Sequence, residues 1–76
     1  MQPLLVTLEP SDEPAKLVTH SGQEFNLVLK GSVAVIFEDQ EIILNEGDSI
    51  YFNPNYPHGQ RCASETKARF LTMIAE

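Results

Sequence analysis

Short strand-type segments of four to seven residues, rich in Val, Ile, Leu and Phe, alternate along this chain with turn residues, and no stretch sustains a helical period. That punctuation restricts the chain to strands joined by turns. Leu4–Leu8, Lys16–Thr19, Glu24–Lys30, Ser32–Phe37, Glu41–Leu44, Ser49–Phe52, His58–Cys62 and Ala68–Ile74 read as strands. Between the first two, Pro10 and Pro14 forbid regular pairing of an acidic loop. Ser21-Gly22, Gly31, Glu38-Asp39-Gln40 and Asn45-Glu-Gly-Asp48 supply turns, and Asn53-Pro-Asn-Tyr-Pro57 a rigid corner. About eight short strands at regular spacing predict an all-β sandwich or barrel.

Size and charge narrow the function classes. With 76 residues there is room for a single domain spanning residues 1–76, near the lower limit for independent folding. Its single cysteine rules out an internal disulfide framework and fits a reducing, cytoplasmic setting. No run of about 18 apolar residues is present to span a membrane as a helix. Met1-Gln2-Pro3 lacks the basic start and apolar core of a signal peptide. A net charge of −6 argues against direct contact with nucleic acid, which requires a basic surface.

Two segments concentrate the chemistry. The first is His20-Ser-Gly-Gln-Glu24-Phe, with Gly31 seven residues past the Glu. The second is Gly47-Asp-Ser-Ile-Tyr-Phe52, followed by Pro57-His58. In residue type and spacing this pair resembles the two motifs of the cupin superfamily, and the likeness covers about residues 15 to 76. The resemblance implies a small cupin-type jelly-roll β-barrel in which His20, Glu24 and His58 hold a divalent transition metal, one of Fe, Mn, Ni or Zn. Two imidazoles and one carboxylate are the donor set of non-haem Fe(II) sites with open positions, and they also suit Mn or Zn. Along a straight strand His20 and Glu24 would lie about 13 Å apart, so Ser21-Gly22 has to fold them together. His58 must reach them from across the barrel wall. The fuller family motif places another histidine where this chain has Val18, so three of four ligand positions remain.

Other residues are read beside the triad. Gln60 lies one same-face step beyond His58 and is expected to reach into the cavity. Asn26 and Tyr51 are further ligand-contact candidates, while Phe25, Phe52 and Tyr56 read as core or cavity wall. Asp48 reads as a turn acceptor and Cys62 as a small buried residue, too far along its strand to ligate with His58. The structural alternative gives His20 a backbone hydrogen bond and has Glu24 cap the turn or pair with Arg61 or Lys16.

The run Thr19-His-Ser-Gly-Gln-Glu-Phe25, Leu-Lys-Gly31 and Leu44 to Phe52, with Pro57-His58, is similar to the C-terminal sensor domains of XRE-type helix-turn-helix regulators. Met1 to Pro10 resembles the strand that opens such domains. This likeness implies a small-molecule-sensing domain, free-standing or trimmed from a longer regulator. Unpaired edges in so small a barrel, such as Leu4–Leu8, lead us to expect a homodimer. The second functional reading is a small metal-dependent cupin enzyme, an iron oxygenase or an isomerase. The short chain, with little material for a lid, weighs against it.

Overall fold

Seven antiparallel strands, arranged as two facing sheets, make up the computed structural model, which describes residues 2–76. Met1, where the resemblance to a sensor domain's opening strand begins, lies outside them. The strands are β1 (Gln2–Leu8), β2 (Gln23–Lys30), β3 (Val33–Phe37), β4 (Glu41–Leu44), β5 (Ser49–Phe52), β6 (His58–Cys62) and β7 (Ala68–Ala75). One sheet has the order β1-β7-β2-β5 and the other β4-β3-β6. This is the small cupin-type jelly roll that the motifs imply, and no helix is present among the described residues.

Strand alternation divides the interior into two ends. On β2 the inward positions are Glu24, Asn26 and Val28, all buried, while Phe25 and Leu27 face the other way. On β7 the matching inward residues are Ala68, Phe70 and Thr72. Register sets Val28 opposite Phe70 and Asn26 opposite Thr72. Across the sandwich, Val33 and Val35 of β3 lie opposite Cys62 and Gln60 of β6, and Phe37 lies opposite His58. Val28, Val33, Val35, Leu44, Cys62, Ala68 and Phe70 therefore form one apolar core, with Val6, Leu8 and Ile50 packed on it. The other end of the same interior holds Glu24, Asn26, Thr72, Gln60 and His58. Burying so many polar groups is tolerable only when each has a partner, and no buried side-chain N or O is left unpaired among the described residues.

One predicted strand does not form. Lys16–Thr19 is reduced to a single bridge, in which Val18 and His58 exchange both backbone hydrogen bonds, at 2.9 and 3.0 Å. Two residues on, the His20 amide donates instead to the Pro54 carbonyl, at 3.0 Å. The segment thus crosses the start of β6 and moves to the next corner, leaving no length of ladder to follow. Gly59 permits that crossing: a Cβ there would meet the Lys16 carbonyl oxygen at 2.8 Å. Asp48 acts as the turn acceptor expected, taking the Asn45 amide at 2.9 Å. Cys62 is buried and donates its thiol to the Thr66 carbonyl, at 3.1 Å.

Candidate metal centre

Three elements bring the triad together. Glu24 sits near the start of β2 and points inward. His20 precedes it on the turn through Gly22, whose backbone is left-handed (φ 94°). His58 opens β6 in the opposite sheet, directly after the Pro57 corner. His20 Nε2 lies 2.9 Å from Glu24 Oε1, and His58 Nε2 lies 3.3 Å from the same oxygen. One ligand atom from each residue falls within 4.8 Å of the others. Two donors bound about 2.1 Å from an ion are roughly 3.0 to 3.4 Å apart in octahedral or tetrahedral arrangements, so the two imidazole-to-carboxylate spacings suit one shared cation.

The hydrogen-bond chemistry points to a cation as well. Each imidazole places Nδ1 against a backbone carbonyl: His20 against Ser21 at 3.1 Å, His58 against Tyr56 at 2.9 Å. A carbonyl only accepts, so both Nδ1 atoms carry the proton, and a neutral ring turns its Nε2 lone pair to the centre. Three lone-pair donors then face one another. That arrangement is stable only with a positive charge among them, either a proton on one imidazole or a metal ion. The donor set therefore fits a divalent metal.

The second carboxylate oxygen is fully engaged. Oε2 of Glu24 accepts from Asn26 Nδ2 at 3.0 Å, Gln60 Nε2 at 3.1 Å and the Thr72 hydroxyl at 3.3 Å. Asn26 also donates to Thr72 Oγ1 at 2.9 Å and accepts from Gln60 at 2.9 Å. The three side chains hold the carboxyl plane and leave Oε1 as the only oxygen turned to the imidazoles. Burial pushes the Glu24 carboxyl up. The Asn26 hydrogen bond, the His20 hydrogen bond and the charges of His58 and His20 in their protonated forms outweigh it and hold the group below the usual carboxylate range. An ionised carboxylate is the form a metal needs.

The predicted site residues divide clearly. His20, Glu24 and His58 converge, and Glu24 pairs with neither Arg61 nor Lys16; Arg61 pairs with Glu41. Gln60 and Asn26 reach the cluster, and the amide NH2 of each donates to Glu24. Tyr51 does not join it. Strand alternation on β5 puts it opposite Phe25 on the outer face, where it is 63% exposed, and turns Phe52 inward. Thr72, which the sequence reading passed over, closes the clamp on Glu24. Its one sequence signal is a hydroxyl two residues after Phe70, on the face where β7 otherwise buries apolar side chains.

Next to the triad, Phe37, Phe52, Tyr56 and Pro57 wall a cavity of about 540 Å³. The Phe52 ring meets the edge of His58 at 5.0 Å and of Phe37 at 5.3 Å, so one aromatic ring joins cavity and cluster.

Comparison with known proteins agrees with this geometry. Residues 4–74 match the family model described as Cupin domain, and the chain belongs to the cupin family. Among solved structures, the chain is similar to FeII HppE in complex with substrate, with 26% identity and a TM-score of 0.86. It is also similar to hydroxypropylphosphonic acid epoxidase from S. wedmorenis in complex with fosfomycin (25%, 0.85) and to CoII HppE in complex with Tris buffer (29%, 0.85). These matches cover 96% of this chain and 44%, 42% and 44% of the respective relatives, so the chain spans less than half of their length. No curated protein matches the sequence.

Proposed function

We propose that this cupin domain binds a small molecule at a divalent transition metal held by His20, Glu24 and His58. The observation that carries the reading is the convergence of two Nε2 lone pairs on a carboxylate whose other oxygen is already satisfied. When bound, the metal supplies a Lewis-acidic centre with positions left open for a ligand. The chain's own residues do the rest. The Ser21 and Tyr56 carbonyls fix the imidazole tautomers, Asn26, Gln60 and Thr72 orient the carboxylate, and Phe52 keeps one side of His58 dry.

We place this binding activity in regulation, as the sensor domain of a transcriptional regulator. The motif resemblance supports this. A net charge of −6 leaves DNA contact to another domain. The sensor acts as a homodimer joined along the open edge of β1, where Leu4 and Leu5 are each 53% exposed. Light scattering that gives a clean monomer of about 8.5 kDa rules the dimer out. A second reading, a small iron enzyme, is favoured by the likeness to the FeII form of HppE. Turnover with added Fe(II), lost in Glu24→Ala, would establish it over the sensor.

Elemental analysis of protein purified without chelator or a nickel column tests the metal. About one equivalent is expected, and His20→Ala, Glu24→Ala and His58→Ala should each lose it. Less than about a tenth of an equivalent, with no uptake of added Fe(II), Mn(II), Ni(II) or Zn(II), refutes the site.

A further inference from the structure

We infer that the cavity beside the triad selects a small organic ammonium compound, an apolar body carrying a positively charged amine, and rejects anions such as phosphonates. Its volume of about 540 Å³ suits a compact organic molecule. Phe37, Phe52 and Tyr56 provide aromatic faces, the surfaces that attract ammonium groups through their quadrupoles. At the rim stand Glu38 and Asp39, both exposed on the turn between β3 and β4, with Gln40 and Asn53 as neutral hydrogen-bonding groups. None of the chain's five Lys and Arg residues lines the cavity. Arg61 is paired with Glu41, and Lys67 lies 3.5 Å from Glu9. A phosphonate entering here would meet two rim carboxylates and no Lys or Arg side chain, within a chain of net charge −6. The similar epoxidase acts, by its name, on a phosphonic acid. The same fold in this chain carries no Lys or Arg at the cavity.

The inference deepens the small-molecule reading and rests on it, so its test is run with chelator present, which makes it independent of the metal. Phenethylamine, 2-phenylethanol and 2-phenylethylphosphonate share one body and differ in charge. They are titrated into the full chain while NMR follows the ring protons of Phe37, Phe52 and Tyr56. The expected order of affinity is amine, then alcohol, then phosphonate, with about tenfold or more between the ends. Glu38→Lys with Asp39→Lys changes only exposed turn side chains and should reverse the order. Equal or tighter binding of the phosphonate to the wild-type chain overturns the inference, as does the absence of ring shifts with any probe at millimolar concentration. Should the double variant not fold, the wild-type order alone decides. An amine preference in a chain that takes up no metal would leave this inference standing and remove the metal.

Discussion

Gly22 carries the turn that brings His20 to Glu24, and replacing it with Ala separates backbone strain from steric conflict when Gly47→Ala serves as the control. Both glycines are left-handed, with φ of 94° and 86°. A Cβ at Gly47 meets nothing within 4 Å, whereas one at Gly22 lies 2.1 Å from the Ala75 carbonyl oxygen. Gly47→Ala therefore costs only the left-handed penalty, about 1 kcal/mol. Gly22→Ala costs the same plus a contact more than about 1 Å too short. The least costly relief is to peel the end of β7 from Gln23, its partner at Ala75, which gives up one or two ladder hydrogen bonds at about 1 kcal/mol each. The sum is about 2–3 kcal/mol, a large share of the roughly 4–11 kcal/mol expected for a domain of this size. Thermal unfolding followed by circular dichroism, with chelator present, should show a drop of about 5 °C for Gly47→Ala and about 10–25 °C for Gly22→Ala. Calorimetric titration with Zn(II) below both transitions should show at least about tenfold weaker binding for Gly22→Ala alone, because the turn sets His20 against Glu24. Losses equal within about 0.5 kcal/mol, or unchanged Zn(II) affinity in Gly22→Ala, would refute the reasoning.

Three further outcomes follow from the clamp and the triad. Thr72→Val keeps the shape of a buried side chain but removes its bonds to Glu24 and Asn26, so Zn(II) affinity should fall about tenfold and stability by about 1–2 kcal/mol in calorimetry and urea unfolding. The depressed Glu24 carboxyl stabilises the metal-free fold above the ordinary carboxylate range, and that contribution disappears as pH falls through the lower folded value. Urea unfolding of Glu24→Gln across the same range should lack that acid-dependent loss; parallel curves would contradict it. Val18→His restores the fuller family motif directly opposite His58 in the bridge, and competition with a chromophoric chelator should show tighter metal binding.

What could be read from sequence follows from local rules. Turn residues delimit strands, and a period of two assigns faces, so Glu41–Leu44, Ser49–Phe52 and His58–Cys62 appear as expected. The triad was legible because all three residues stand in the register of the two family motifs and the Ser-Gly turn between His20 and Glu24 is local. Lys16–Thr19 failed because a strand exists only where a neighbour offers a run of partners, and crossing β6 offers one residue. Tyr51 and Phe52 are adjacent aromatics of equal strand propensity; the sequence contains no sign of which faces inward until β5 pairs with β2. Thr72 lies 46 residues from Asn26 and 48 from Glu24, and only the β2–β7 register makes them neighbours.

Residue order and type thus determined the all-β class, the turns, the acidic surface and the identity of the three converging side chains. Tertiary structure alone decided which carboxylate oxygen is free, which nitrogen of each imidazole faces the centre, and which aromatic side chains wall the cavity. Those choices depend on hydrogen-bond partners and pairing registers supplied by strands distant in the chain, and no local preference encodes them.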